Sequence, residues 1–226
     1  MKKIGMVVAL QAEIIPFLEA ADVEIKKNSV YNFTVAEFKL GENEVVCVNS
    51  GIGEIMGAAA TQYLITAYNP DLIINFGVCG SLSDELGLKS VAIVDGVIPY
   101  DFDTSAIDGT KVGQYDGYPD VVIPADKDMI LSAKKFLPDV QTVLCASADK
   151  FVAAEDIKEN LKRSFGASVC DMESAGVLIT AKSAEKPCLI IKAVSDGKGG
   201  VEDYRATIHE AARQYIDFLI KFVKSL

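Results

Sequence analysis

The sequence predicts an α/β fold: three layers, α/β/α, around a central mixed, largely parallel sheet. Short apolar runs rich in β-branched residues alternate with longer stretches of helical period, as when strands are threaded through helices. Several runs, such as Leu72-Ile73-Ile74 and Leu189-Ile190-Ile191, show no polar alternation, which suits strands covered on both faces. No linker, repeat or low-complexity stretch interrupts the pattern, so a single domain spanning residues 1–226 is expected.

In chain order, the apolar runs place strands at Ile4–Leu10, Tyr31–Phe38, Glu44–Val48, Leu72–Phe76, Val91–Val97, Gln141–Ala146, Ala167–Cys170 and Cys188–Val194. The second and third of these, joined through Gly41-Glu42-Asn43, form an antiparallel hairpin within the sheet. Helical period is clearest from Ile52, through Met56, Ala59, Ala60, Tyr63, Leu64 and Ala67. It recurs from Ile208, through Ala211, Ala212, Tyr215, Ile216, Leu219, Ile220 and Val223. The stretch from Pro99 to Pro119 has neither period but carries Tyr100, Phe102, Tyr115 and Tyr118. A loop that long and aromatic is expected to be packed, as a pocket wall or a subunit interface.

Composition bounds the partners. With 32 acids against 22 bases the net charge is −10, which repels polyanions, so nucleic acid and anionic membrane are poor partners. The five cysteines are odd in number, widely spaced and mostly inside apolar runs, which reads as free buried thiols in a reducing, cytoplasmic setting. The opening Met1-Lys2-Lys3 and the apolar run after it end in Gln11-Ala12-Glu13 without a cleavage signature. No run approaches the ~18 apolar residues of a membrane span.

Ligands of open α/β sheets bind beyond the carboxyl ends of strands. The residues immediately after each apolar run therefore matter: Glu13 after the first, Ser50-Gly51-Ile52-Gly53 after the third, and Gly77-Val78-Cys79-Gly80 after the fourth. Further along come Asp149-Lys150-Phe151-Val152, then Asp171-Met172-Glu173, then Ser195-Asp196-Gly197. Two glycine turns, an aromatic residue and acids from remote parts of the chain would gather at one sheet edge. The only histidine, His209, falls in the last helix. That removes a metal cluster and any Ser-His-Asp or Cys-His nucleophile, and leaves proton transfer to carboxylates. No cofactor is expected. The Gly51-Ile52-Gly53 turn departs from a dinucleotide fingerprint, because Met56 stands where the third glycine belongs. Taken singly, Glu173 could complement a helix dipole and Asp196 could be a turn residue. Their shared placement at strand ends is what favours function.

At these junctions the chain resembles the nucleoside phosphorylase/nucleosidase superfamily, and within it the methylthioadenosine/S-adenosylhomocysteine nucleosidases. The likeness runs the whole length: Ile4–Leu10 with Glu13, Ser50–Gly53, Asn75–Gly80, Tyr100–Ala106, Asp149–Val152, Asp171–Ala175 and Ala193–Asp196. It implies a purine nucleoside as small-molecule partner and a homodimer as the assembly. It implies that Asp196 is the general acid toward purine N7, oriented by Ser195, and that Glu13 is the base toward water. Glu173 would hold the ribose hydroxyls, with Met172 packing on the ribose. Phe151 would stack on the base and the Val152 backbone would read its edge, with Ile52 and Val78 also contacting substrate. Burial away from cations is expected to let Asp196 keep its proton.

Phosphorylases of this superfamily typically hold phosphate with arginines near the glycine turns. Here Asn75 and Val78 occupy those positions and the three arginines (Arg163, Arg205, Arg213) lie elsewhere, so hydrolysis is favoured. The alternatives are a phosphate-dependent phosphorylase, a futalosine-type hydrolase and a non-catalytic nucleoside-binding or storage protein. Lys192 stands where the nucleosidases often have arginine, so the resemblance passes a water-positioning role to it. Two departures from the nucleosidases concern substrate choice: Lys150 precedes Phe151 where a smaller residue is usual, and Tyr204 or Thr207 stands near the position of the usual 5′-capping aromatic.

Overall fold

The computed structural model describes all residues, Met1–Leu226. Strand β1 (Lys3–Val8) lies parallel between β4 (Asn43–Asn49) and β5 (Leu72–Ser81), as its uninterrupted apolar sequence requires. Strand β3 (Phe33–Leu40) returns antiparallel on β4 through the expected hairpin, pairing Leu40 with Asn43. A further strand, β2 (Lys26–Val30), edges the sheet beside β3. Its sequence, Lys-Lys-Asn-Ser-Val, is largely exposed and has no apolar run to betray it. The hairpin partner begins at Phe33 rather than Tyr31, because Tyr31 takes a positive φ in the intervening turn.

The other half of the sheet closes on itself. Strand β10 (Cys188–Asp196), with all nine residues buried, runs parallel to β5 on one side and antiparallel to β6 (Val91–Pro99) on the other. From β6 the pairing passes in parallel to β8 (Gln141–Ser147) and β9 (Val169–Asp171), and β9 returns antiparallel to β5. The two-residue β7 (Ile123–Pro124) flanks β6. The sheet is therefore mixed but not open: five strands form a ring, and β1, β4, β3 and β2 extend from it as a wing.

Helices cover both sides. α2 (Glu54–Tyr68) packs on α6 (Ser174–Ser183) and on β1 and β4, whereas α1 (Gln11–Ala21) packs on α7 (Val201–Ala211) and α8 (Ile216–Ser225). α4 (Lys127–Lys134) lies against β6 and β10, and α5 (Glu155–Phe165) comes after the loop that leaves β8. The helical period from Ile208 is split into α7 and α8 by a turn over residues 212–215. Tyr215 in that turn is fully buried, edge-on to Phe76 at 5.6 Å, so the turn is fixed by the core. The stretch from Pro99 to Pro119 holds only the single turn α3 (Ser105–Asp108). Tyr115 and Tyr118 pack on their own chain's core, with Phe102 at 4.6 Å from Tyr115. No helix is long and apolar enough to cross a membrane.

Candidate active site

Each acid is placed by its own element. Glu13 stands at the third position of α1 and reaches back so that Oε2 accepts from the Leu10 N–H at 2.8 Å, the returning half of a capping box. Its Oε1 accepts from the Val78 N–H at 2.7 Å, across from β5. Gly77 makes this approach possible, since a Cβ there would lie 2.7 Å from Oε1. Burial pushes the Glu13 carboxyl up, against the pull of the Val78 hydrogen bond and of Lys192.

Glu173 caps the start of α6, and its Oε1 accepts from the Gly53 N–H at 3.0 Å. Gly51 and Gly53 both take positive φ, which keeps this turn to glycine. Burial raises Glu173 to about 7, with Lys192 opposing and Asp171 adding to the rise. Asp196 ends β10; its Oδ1 accepts from the Ser195 hydroxyl at 3.0 Å, while the same hydroxyl lies 3.3 Å from the Cys79 carbonyl.

The structure brings all nine sequence-derived residues to one cavity of about 370 Å³. Glu13, Ile52, Val78, Phe151, Val152, Met172, Glu173, Ser195 and Asp196 line it, a volume within the range of small-molecule sites. Tyr204, rather than Thr207, completes the wall, edge-on to Phe151 at 5.5 Å, and Lys150 stands beside Phe151. Tyr115 and Tyr118 are not on this wall. No group of histidine, cysteine and acids has the arrangement of a metal site.

Two buried lysines change the electrostatics. Lys192 ion-pairs with Asp171 at 2.7 Å, both side chains 1% exposed. Burial works against the Lys192 charge, but Asp171, Glu173 and Glu13 outweigh it and raise its proton affinity. Lys192 is thus a counter-charge beneath two of the three acids. The second lysine overturns one expectation, that Asp196 lies away from cations. Lys158, from α5, places Nζ 2.6 Å from Asp196 Oδ2, with both side chains nearly buried at 6% and 4% exposure. Sequence reasoning missed Lys158 because it sits in a charged helix segment, Glu155-Asp156-Ile157-Lys158-Glu159. Its one signal is a spacing of three from Leu161, which is buried on the inner face.

A model of the phosphorylase superfamily matches residues 3–226. A 5′-methylthioadenosine/S-adenosylhomocysteine nucleosidase of Staphylococcus saprophyticus is 30% identical over 231 residues, 97% of this chain and 100% of that protein. The futalosine hydrolase of Helicobacter pylori superposes with a TM-score of 0.94 at 25% identity, covering 100% of this chain and 98% of its own. The 5′-methylthioadenosine/S-adenosylhomocysteine nucleosidase of Neisseria meningitidis, solved with methylthio-immucillin-A, gives 0.93 at 27% identity over all of both chains. On this full-length agreement the chain belongs to the phosphorylase superfamily, among its methylthioadenosine/S-adenosylhomocysteine nucleosidase members.

Proposed function

We infer that this protein is a purine nucleosidase that hydrolyses the N-glycosidic bond of a 5′-substituted adenosine, of the methylthioadenosine/S-adenosylhomocysteine kind, to adenine and the free sugar. The carrying observation is the convergence of Glu13, Glu173 and Asp196 on one nucleoside-sized cavity beside Phe151 and Val152. Asp196 delivers a proton to N7 as the base departs neutral, and Ser195 orients it. Glu173 faces the ribose hydroxyls and opposes the positive charge that develops on the sugar, with Met172 beneath. Glu13 takes a proton from the attacking water, and its raised proton affinity makes it a stronger base once ionised. Acid and base on opposite sides of the scissile bond match the logic of inverting glycoside hydrolysis.

Water rather than phosphate is the acceptor. The charged residues on the cavity wall are Glu13, Asp171, Glu173 and Asp196 against Lys150 alone, and no arginine is among them, so an incoming dianion is repelled. The test is incubation of the pure protein with methylthioadenosine, S-adenosylhomocysteine, adenosine and inosine, with and without phosphate, and then identification of the sugar. Free sugar in every active reaction is expected, and sugar 1-phosphate would refute hydrolysis. Likeness to the Helicobacter pylori futalosine hydrolase, with Lys150 on the wall, favours a futalosine-type nucleoside as second reading; adding futalosine to the panel decides it. Asp196→Asn is expected to lower kcat by about 10²–10⁴ with KM within a few-fold.

The working unit is a single domain in a homodimer in the cytoplasm. In support, Ile55 at the head of α2 is 75% exposed beside Ile52 on the cavity wall, an apolar rim suited to a subunit contact. The five cysteines are free and buried, as a reducing compartment favours.

A further inference from the structure

The Lys158–Asp196 pair conflicts with a simple acid role for Asp196. Both carboxylate oxygens are engaged, Oδ2 by the Lys158 ammonium at 2.6 Å and Oδ1 by the Ser195 hydroxyl at 3.0 Å, so the one N–H donor in contact with Asp196 from behind belongs to Lys158. Lys158 also donates to the Gly197 carbonyl at 2.8 Å. It does not line the nucleoside cavity. It lines a second cavity of about 330 Å³ on the far side of Asp196. The wall between the two cavities is therefore an ammonium against a carboxylate, with solvent space behind the ammonium and substrate space before the carboxylate.

The charges around Lys158 leave Asp196 as its only carboxylate partner within 4 Å. Lys198 pairs with Asp84 at 3.0 Å and approaches Glu155 at 4.0 Å. Asp203 accepts from the N–H groups of Gly197 and Gly199. Glu159 and Lys162, on α5 itself, line the same second cavity, and the buried Cys170 thiol faces Lys158 from β9.

From this geometry we propose that Lys158 supplies the proton that Asp196 hands to the purine, so that the acid is the pair rather than the aspartate alone. This rests on the reading of Asp196 as the group facing N7. In the step, an Nζ–H bond of Lys158 breaks and an Oδ2–H bond forms. That O–H bond then breaks as N7–H forms, and the C1′–N9 electron pair stays with the base. Lys158 is left as a neutral amine and regains its proton from water in the second cavity. Lys158 never touches the nucleoside; it acts through Asp196.

Two substitutions separate proton supply from charge. Lys158→Arg keeps the cation but cannot release a proton. Lys158→Met removes both and leaves a buried carboxyl that can protonate by itself in acid. Turnover of the best substrate from the nucleoside panel is measured from pH 5 to 8 beside the parent protein, with circular dichroism to check folding. Lys158→Arg is expected to lose about 10² in kcat at every pH with KM within a few-fold. Lys158→Met is expected to lose about as much at pH 8 and to approach the parent at pH 5. Parent-like kcat in a folded Lys158→Arg, or a constant ratio of Lys158→Met to parent across the range, overturns the proposal. If only one variant folds, that one decides. An active Asp196→Asn would instead remove the reading beneath it.

Discussion

Glu173 carries opposing demands. The role proposed for it requires the charged form, yet burial raises it to about 7, so the folded protein holds a proton there that the unfolded chain has already lost. Folded-state proton uptake exceeds that of the unfolded chain between the ordinary glutamate range and pH 7. Stability therefore falls as pH rises through that window, and the deficit is complete above it. Glu173→Gln keeps the acceptor for the Gly53 N–H and removes the buried charge. It is expected to be more stable than the parent at pH 8, on the order of 1–3 kcal/mol, with the gain gone near pH 4.5. Urea melts at the two pH values measure this, and equal stability at pH 8 would contradict it. Activity has the opposite sign: kcat/KM of the parent is expected to decline as pH drops below 7 and the carboxylate is lost. At this scale the acids were legible because each comes directly after an apolar run, where strand ends face a ligand. Lys158 was not, because a lysine within a run of charged helix residues looks solvated until the packing of α5 is known. The Asp171–Lys192 pair was half legible: both residues stood out by position, but their contact joins two strands that neither spacing nor period connects.

The contact between α2 and α6 shows how an element positions the site. Gly57 and Gly176 let the helices approach until a Cβ at Gly176 would collide with the Glu54 carbonyl oxygen. That closeness holds the head of α2, with Gly53, against Glu173 at the head of α6. Because the obstacle is backbone, no rotamer change relieves it. Gly176→Ala is expected to destabilise by about 1–3 kcal/mol and to weaken turnover by loosening Glu173. A lowered urea midpoint with unchanged slope, and a fall in kcat, are the readings; unchanged melting would show that α6 shifts freely. The strands of the core were readable from their apolar runs, whereas β2 was hidden, since an edge strand with one partner and two wet faces needs no apolar pattern. The split between α7 and α8 was hidden for the opposite reason: the apolar period runs on through residues 212–215, because Tyr215 is buried in the turn as fully as it would be in a helix.

Ring closure organises the whole molecule. β5 and β10 are paired on both sides within buried layers, whereas β2 hangs at the open end of the wing. Hydrogen exchange is expected to grade accordingly, with β2 amides exchanging at least about 10³-fold faster than those of β5 and β10. Uniform protection would show that the wing and ring open together. Closure was not legible in the sequence, because parallel and antiparallel pairings of similar apolar runs leave the same trace in composition and period. It has a consequence for how such an enzyme diversifies. Val78 on β5 grips Glu13, and β10 ends in Asp196, so the register between two doubly bonded strands acts as a caliper on the separation of the proposed base and acid. The jaws cannot be reset without breaking the ring. On the proposed roles, preference among groups on the 5′ carbon falls to wall residues outside the ring, and exchanges at Ile52, Lys150 or Tyr204 are expected to alter the guest while the spacing of Glu13 and Asp196 stays the same.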